Sequence, residues 1–166
     1  MASSAAKLSA LRGIPADLIE LESPDTLAIL AFVQIHHSAE LIVKAVERNL
    51  ATHNLSLARY VVLRLLVGRD PVPLGWIAEK HFSRMSNITG VIDRLVRDGL
   101  VERLPDPDDR RIVRVKLTPA GDKLLRATRR PHREFLAKTM SPLADDDLRT
   151  LVVLLSKLTE PLEAAT

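Results

Sequence analysis

The chain has 166 residues, a net charge of +3 and no cysteine. This length is sufficient for one domain that buries its own core, with room for helical extensions. The absence of cysteine excludes disulfides, thiolate zinc sites and thiol redox sensing. No uninterrupted run of about 18 apolar residues occurs, and the N-terminus lacks a basic-then-apolar signal pattern. We therefore expect no membrane association and a cytoplasmic location.

The N-terminal part predicts one long helix after a tail. Residues 1–13 are small and polar, so a frayed tail and a short helix on a partner subunit both remain open. Ser23-Pro24 supply an N-cap and a proline for the first helical position, and the helix is expected to reach about Ala51. Apolar residues surround so much of this helix that we expect it to be buried against more than one element, including another subunit.

A second helix is predicted from LARYVVLRLLV, which ends before Gly68. Arg59 and Arg64 are expected to point outward. The side predicted to face the core consists of Leu57, Tyr60, Val61 and Leu65. A connector from Gly68 to Pro73 then leads into the next segment.

Residues 73–99 predict two further helices joined by a turn. In VPLGWIAEKHF, the residues Leu74, Ile77 and Ala78 mark a short helix. The following helix is expected to span about 13 to 15 residues and to end at Asp98-Gly99, where glycine can close it. Its apolar residues recur at three- and four-residue spacing: Ile88, Val91, Ile92 and Leu95.

The hydrophobic period then changes from helical to extended. Leu100 to Leu104 form a short β-like run, PDPDDRR supplies turn residues, and IVRVKL alternates apolar with basic residues. This pattern predicts a hairpin whose tip is too polar to pack on anything. Helix, turn, helix and hairpin together predict a winged helix-turn-helix, in which the second helix enters a DNA major groove and the hairpin contacts the backbone or minor groove.

Positive charge is concentrated in this region. Residues 84–134 contain 13 Lys and Arg against 8 Asp and Glu, a balance of +5 that leaves −2 for the remainder. The second helix of the predicted helix-turn-helix, here called the reading helix, therefore carries positive charge together with the hairpin and the next helix. A phosphate-binding surface requires such charge. A solvated helical face is the alternative interpretation.

Two helices are predicted after the hairpin. Thr118-Pro119 supply a cap and a first-turn proline for a helix that runs toward Met140, and Pro131 in its interior predicts a kink. Ser141-Pro142 ends it, and a last helix begins near Ala144 with acidic residues in its first turn. That helix carries an apolar stripe of Leu148, Leu151, Val152, Leu155 and Leu158.

The motifs GWIAEK, SNITGVIDRL, DGLVER, PDPDDRR and VKLTPAG, in this order, resemble the core of MarR-type transcriptional regulators over residues 55–125. The resemblance implies a mostly α fold with a small β-hairpin wing, in which a winged helix-turn-helix is combined with a helical dimerisation region. It implies three parts: N-terminal dimerisation helices at 1–53, the DNA-binding domain at 54–118 and C-terminal dimerisation helices at 119–166. The sequence departs from the family pattern at two places. Pro73 occupies a position where the family commonly has a capping Ser or Thr, and Ser83-Arg84 lies one position earlier than the Ser-Arg pair of many relatives.

By this resemblance the expected protein is a homodimer on pseudo-palindromic double-stranded DNA, with two reading heads about one helical turn (~34 Å) apart. It is expected to repress transcription and to be released by a small-molecule effector, often aromatic or anionic. His37, Arg59 and Trp76 are candidates for the effector pocket, although a core His, a surface Arg and a core Trp explain them equally. A sequence-tolerant or architectural DNA-binding protein is the alternative.

Short polar side chains crowd the start of the reading helix, where they can reach phosphates or base edges. Asn87 suits a bidentate contact with adenine. Ser83 or Ser86 could instead cap the helix, and Arg94 could pair with Asp93 or Asp98; these interpretations stay open. The predicted DNA-binding residues of the helix are Ser83, Arg84, Ser86, Asn87, Thr89, Gly90 and Arg94.

In the wing, the predicted DNA-binding residues are Asp109, Arg110 and Arg111. The resemblance implies that Arg111 inserts into the minor groove while Asp109 holds the loop or the arginine in place. Arginine suits a narrow, electronegative groove.

Other chemistry finds little support in the sequence. A calcium loop could use Asp106 and Asp108, but Arg110 occupies the next ligand position. Among the histidines, only His36 with Glu40 has chelating spacing on a helix, so no metal site is expected. No phosphate loop, nucleophile elbow or zinc-protease signature occurs, and we expect neither a cofactor nor an enzyme.

Overall fold

The structure is a computed structural model that describes residues 24–69, 71–80 and 85–164, without the side chains of residues 24 and 85–87. The chain divides into two units, Met1–Leu57 and Ala58–Thr166. The elements in the described ranges are α1 (Pro24–Ala51), α2 (Leu57–Leu66), β1 (Val72–Pro73), α3 (Leu74–Lys80), α4 (Met85–Arg97), β2 (Val101–Pro105), β3 (Val113–Leu117), α5 (Pro119–Met140) and α6 (Asp145–Ala164). The predicted class, mostly helical with a small hairpin, is confirmed. The expectations for residues 1–13 lie outside the described residues.

Helix α1 forms most of the first unit. It begins and ends where the sequence predicts, and its end is closed by the N–H groups of His53 and Leu55, which donate to the carbonyl of Leu50 at 2.9 and 3.2 Å. Asn54 adopts a left-handed φ of 56°, which asparagine tolerates. Several large apolar side chains of α1 are exposed in the single chain, so the predicted burial against another subunit stays a prediction: Leu27, Ile29, Phe32, Ile35, Leu41, Ile42 and Val43.

By length and composition alone, α1 is also apolar enough to cross a membrane, a test that core helices of soluble proteins pass as well. The helix nevertheless contains no uninterrupted run of about 18 apolar residues, because His36, His37 and Glu40 interrupt its apolar sequence. Lys44 and Glu40 pair on its surface at 3.5 Å. Charged side chains at such positions are costly inside a bilayer, so the composition of α1 fits a covered protein surface better.

In the second unit, the core side of α2 differs from the prediction. Val62, Leu63 and Leu66 are at most 1% exposed. The side predicted to be core is wrong, because all its residues are only half-buried: Leu57, Tyr60, Val61 and Leu65. A helix this apolar has no unique hydrophobic face, so spacing alone does not select the buried one.

Helices α3 and α4 bury the residues that the sequence selected. Ile77 and Ala78 of α3 are buried, and Leu74 is half-buried. Helix α4 has 13 residues and is followed by Gly99 at a φ of 68°. All four predicted apolar residues of α4 are at most 5% exposed: Ile88, Val91, Ile92 and Leu95. The two helices of the predicted helix-turn-helix therefore form as the period indicates, and the residues between them, 81–84, lie outside the described part of the chain.

A three-stranded antiparallel sheet in the order β1-β3-β2 carries the wing. Strands β2 and β3 pair from Val101 opposite Leu117 to Pro105 opposite Val113. The connector predicted before α3 is partly a strand, since Val72 pairs with Val115 and Pro73 with Arg114. Pro73 therefore serves the sheet rather than a helix cap, and the other predicted cap, Asp70, lies outside the described residues.

The junction between β3 and α5 packs against the end of α4. Thr118 caps α5, accepting from the N–H of Gly121 at 3.1 Å, while its own hydroxyl donates to the carbonyl of Gly99 at 2.7 Å. The N–H of Thr118 donates to the carbonyl of Leu100 at 3.1 Å. A Cβ on Gly121 would lie 2.1 Å from that Leu100 oxygen, so only glycine permits this close approach.

Helices α5 and α6 follow the predicted boundaries. Helix α5 starts at the Thr118-Pro119 cap, includes Pro131 and ends at Ser141. The kink expected at Pro131 stays a prediction. Helix α6 has three aspartates in its first turn and no buried residue among those described. Its exposed apolar residues are Val152, Val153, Leu154, Leu155, Leu158 and Leu162.

Candidate nucleic-acid interface

Helix α4 turns its apolar residues into the core and leaves a polar side outward. Thr89 and Arg94 are exposed, and Gly90 is half-buried. Two of the predicted DNA-binding residues, Ser83 and Arg84, lie outside the described residues. Ser86 and Asn87 lie in the first turn of α4, but their side chains lie outside the described part, so their capping or DNA-binding roles stay predictions.

Arg94 folds back along α4 instead of pairing with a neighbouring carboxylate. Its Nε donates to the carbonyl of Gly90 at 3.1 Å. The two aspartates that the sequence offered as partners have other arginines: Asp93 pairs with Arg103 at 2.7 Å, and Asp98 pairs with Arg59. These two pairs tie α4 to β2 and to α2. Because Arg94 is exposed and has no acidic partner among the described residues, its charge is available to a phosphate.

Gly90 has space for a side chain within the chain itself. A Cβ built on Gly90 would meet only Nη2 of Arg94, at 3.8 Å, which is an ordinary van der Waals distance. Glycine in a helix interior is less favourable than alanine by about 0.5–1 kcal/mol. Packing among the described residues therefore does not require glycine at this position. The remaining physical reason for glycine is that it lets another molecule approach this side of α4 closely.

The wing loop is braced from inside by Asp106. Its side chain is 4% exposed, its Oδ1 accepts from the N–H groups of Asp108 and Asp109 at 2.9 and 3.1 Å, and its Oδ2 accepts from Nε of Arg114. Arg114 also donates to the carbonyl of Pro71 at 3.1 Å. The bond from Arg114, followed by the amide of Asp108, lowers the pKa of Asp106. The expectation that the whole tip is too polar to pack is therefore wrong for Asp106, since hydrogen bonds satisfy the buried carboxylate.

At the tip, Asp109 holds Arg111 in an outward position. The Arg111 side chain is 90% exposed, and its Nε and Nη2 donate to the two Asp109 oxygens at 3.1 and 3.2 Å. The backbone N–H of Arg111 donates to Asp109 as well, at 2.9 Å. These bonds lower the pKa of Asp109, chiefly through the Arg111 side chain. Arg110 is also exposed, so the tip presents two guanidinium groups to solvent.

The three residues proposed for an effector pocket have separate surroundings. Arg59 pairs with Asp98, and Trp76 lies under the guanidinium of Arg69, whose Cζ is 5.3 Å from the ring centroid. His37 is half-buried on α1. The first two residues thus have roles within the second unit, and their place in a pocket stays a prediction.

This arrangement defines a winged helix-turn-helix DNA-binding protein, and comparisons place it more narrowly. Residues 55–113 match the MarR family. The HTH-type regulator YpoP of Bacillus subtilis is 31% identical over 135 residues, which cover 81% of this chain and 89% of the relative. A mutant of E. coli MarR in complex with operator DNA superposes with a TM-score of 0.74 at 25% identity, covering 82% and 99% of the two chains. The chain belongs to the MarR family of transcriptional regulators.

A third comparison supports the fold. An organohalide-sensing regulator in its 2,4-dichlorophenol-bound form superposes with a TM-score of 0.77 at 22% identity, covering 90% of this chain and 87% of that one. The family and these relatives are transcriptional regulators.

Several contacts that shape the site were not predicted from the sequence, although Thr118 was predicted as a helix cap. Arg114 and Asp106 brace the wing, Thr118 and Gly121 fix the junction behind α4, and Arg103 restrains Asp93. The motif VKLTPAG could have indicated this junction. Glycine is unfavourable at the third position of a helix, so its presence just after a threonine cap suggests a close contact with another segment. The wing brace had no comparable local signal.

Proposed function

We propose that this protein is a cytoplasmic homodimeric repressor that occupies pseudo-palindromic promoter DNA and is released by a small-molecule effector. The outward guanidinium of Arg111 on a braced wing, together with the exposed polar side of α4, carries the proposal. In this arrangement α4 reads base edges in the major groove, while Arg111 enters the minor groove. The relative crystallised with operator DNA supports duplex DNA as the partner.

The proposal of a homodimer is supported by exposed apolar surface on the terminal helices. Phe32 on α1 is 69% exposed, and Val152 and Leu162 on α6 are 64% and 63% exposed. Large apolar patches of this kind mark interaction surfaces in soluble proteins. Two-fold symmetry would supply the same surface on a second copy and would place two reading heads on one palindrome.

The effector part of the proposal rests on family resemblance. The dichlorophenol-bound regulator shares the fold and was crystallised with a small molecule. His37, Arg59 and Trp76 remain the proposed lining of the pocket. Binding there would release DNA only if the effector has a higher affinity for a conformation whose reading heads are misplaced on the operator.

The test measures sequence discrimination directly. A duplex selected from a random library and a scrambled duplex of equal composition are titrated by fluorescence anisotropy at several salt concentrations. A regulator is expected to prefer the selected duplex by ~10³-fold or more. A ratio near one with a steep salt dependence would instead indicate a sequence-tolerant architectural protein, and the absence of any binding would contradict both.

A further inference from the structure

A cleft in the second unit is lined by arginines from two helices. Arg64 comes from α2 and Arg69 follows that helix, while Arg126 and Arg129 come from the first turns of α5. The cleft has a volume of about 520 Å³, and Val67 and Leu125 supply apolar lining. Small-molecule sites typically occupy about 300–1,000 Å³ and combine apolar lining with a few convergent polar groups. The described lining includes none of the proposed DNA-binding or effector-pocket residues, and only Arg69, which lies over the ring of Trp76, connects the cleft with the proposed effector pocket.

The charge in the cleft is largely uncompensated. Its lining carboxylate, Asp122, pairs with Arg126 at 2.8 Å. Arg69 donates to the carbonyl of Leu65 at 3.3 Å and lies over the ring of Trp76, and neither of these partners is a carboxylate. Within the described ranges, Arg64 and Arg129 have no carboxylate within 4.0 Å. Four cations and one anion therefore face the same space.

The row of cations continues along the same two helices. A neighbouring cavity of about 390 Å³ is also lined by Arg64 and Arg129, together with Tyr60, His132 and Arg133. Arg126, Arg129 and Arg133 recur at helical spacing on one side of α5. Like charges on adjacent turns destabilise a helix, so a multiply charged anion would offset a repulsion that the chain itself leaves in place.

We propose that this cleft binds a phosphorylated small molecule with two or more adjacent phosphate groups, of the class of nucleoside diphosphates. Guanidinium forks from α2 and α5 would hold the phosphates bidentately, because Arg matches phosphate geometry. Val67, Leu125 and the ring of Tyr60 supply apolar contact for the remainder of the ligand. A single carboxylate would satisfy one guanidinium and leave the others unpaired, so adjacent phosphates fit the site better.

This site is separate from the tip of the wing. Strand β3 runs from Val113 beside the loop to Leu117, just before the helix that lines the cleft. Four residue steps at ~3.3 Å place the two ends of that strand ~13 Å apart. The proposal therefore does not depend on the DNA-binding role, and each can fail without the other.

The test uses inorganic tripolyphosphate as the probe, titrated into the full chain by isothermal titration calorimetry at constant ionic strength. Saturable binding of one tripolyphosphate per protomer is expected. The variant with Arg64→Gln and Arg129→Gln should bind at least ~10-fold more weakly, since it loses two charge-assisted contacts. Arg130→Gln is the matched control, because Arg130 is adjacent in sequence but pairs with Glu134 at 2.8 Å; its affinity should stay within ~2-fold of the wild type.

Two results would overturn the proposal. The first is no saturable binding by the wild type, or an equal loss in Arg130→Gln, which would mean that only bulk charge attracts the probe. The second result is that the wild type binds no tripolyphosphate, while the double variant loses affinity for a random-sequence duplex. That result would indicate that the arginines bind duplex DNA instead. Circular dichroism of each variant checks folding, and exposed positions such as Arg64 and Arg129 should tolerate glutamine.

Discussion

Arg111 is held in an outward position by Asp109 in the chain on its own. Its side chain is 90% exposed, yet both carboxylate oxygens of Asp109 accept from its guanidinium and fix its direction. A long side chain that is already ordered loses less conformational entropy when it inserts into a groove. Asp109 must release part of this pairing if the guanidinium turns fully toward DNA, so the pair serves to orient the arginine more than to stabilise the fold.

Replacing Arg111 with alanine should reduce affinity for a selected duplex at least ~10-fold at moderate salt, the order expected for one strong contact of ~1–3 kcal/mol. The reason is that alanine lacks the guanidinium group, which is the part of Arg111 proposed to enter the minor groove. Fluorescence anisotropy on matched duplexes measures the change. Arg130→Ala removes the same charge far along α5 and should alter affinity by less than ~2-fold. Unchanged binding by Arg111→Ala would show that the wing assignment is wrong.

Gly90→Ala should separate stability from DNA binding. The added Cβ meets only Arg94 at an ordinary distance, so the free energy of unfolding should rise by about 0.5–1 kcal/mol through helix propensity. If glycine provides clearance for the DNA backbone, duplex affinity should fall at the same time. Urea unfolding and anisotropy measure the two effects. A more stable variant with undiminished affinity would remove Gly90 from the interface.

Asp106 gives the wing a defined dependence on pH. Arg114 and the amide of Asp108 hold the pKa of Asp106 below its ordinary value of 3.8. A folded-state pKa below the unfolded one means that the carboxylate stabilises the wing at pH above about 4 and that this contribution is lost as pH falls through the lowered pKa. The wing should therefore stay ordered from pH 7 to about 5 and loosen below about 4. Carboxyl ¹³C shifts report the titration, and a midpoint at or above 3.8 would contradict the brace.

At the scale of elements, α4 is positioned from three sides. Arg103 on β2 pairs with Asp93, Arg59 on α2 pairs with Asp98, and the β3–α5 junction packs on Leu100. Asp93 lies in α4, whereas Asp98 and Leu100 follow its last residue, so the contacts fix α4 and the turn after it to different elements. Reading a base edge requires placement within a fraction of an ångström, so these contacts matter for specificity more than for net stability.

Gly121→Ala should be one of the more destabilising single changes in the chain. The new Cβ would lie 2.1 Å from the Leu100 oxygen and 2.8 Å from Leu117 Cδ1, so the backbone must move. Such overpacking costs about 1–3 kcal/mol, more than the gain in helix propensity returns. Gly75→Ala is the matched control, because nothing lies within 4 Å of its Cβ and its stability should be equal or higher. Equal urea midpoints for the two variants would disprove the close-approach account.

The sequence predicted elements whose hydrophobic pattern is unambiguous. Helix α4 alternates apolar and polar residues at helical spacing, so both its length and its buried side were correct. In α2 nearly every residue is apolar, so Val62 and Leu63 could not be distinguished from Tyr60 and Val61 before the packing was known. Strand β1 has only two residues and includes Pro73, which offers no strand signal.

The candidate site was predictable where it is local. Asp109 and Arg111 are two residues apart, and their hydrogen bonds form within one turn of chain. The brace could not be predicted in the same way, because Arg114 reaches Pro71 across 43 residues. An aspartate in a Pro-Asp run is typical of an exposed turn, and only the meeting of β1 with β3 makes Asp106 a buried partner.

At the scale of the whole molecule, the exposed apolar residues of α6 lead to a prediction about assembly. None of the described α6 residues is buried. Even its large apolar side chains are exposed, with Leu158 at 50% and Leu162 at 63%. Amphipathic helices obtain most of their stability from packing of this kind of surface, so we expect a second copy to cover it.

Leu158→Glu combined with Leu162→Glu should weaken the dimer at least ~100-fold, because two carboxylates would be buried without partners. Sedimentation velocity across protein concentrations measures the change in assembly. Lys157→Glu is the control beside them, since it changes charge on the same helix without removing apolar area. A wild-type protein that sediments as a monomer at ~10 μM would contradict the dimer.

Helix α5 also acts as a lever. It has 22 residues, with Pro131 in its interior, and Gly121 and Thr118 hold its first turn against the residues that follow α4. At 1.5 Å per residue a helix of this length is ~33 Å long, so a tilt of ~5° at its far end moves the held end by ~3 Å. That travel is close to the ~3.4 Å rise of one base pair. In the proposed dimer, a small change in tilt where the two protomers meet would be large enough to move a reading head out of register with its half-site.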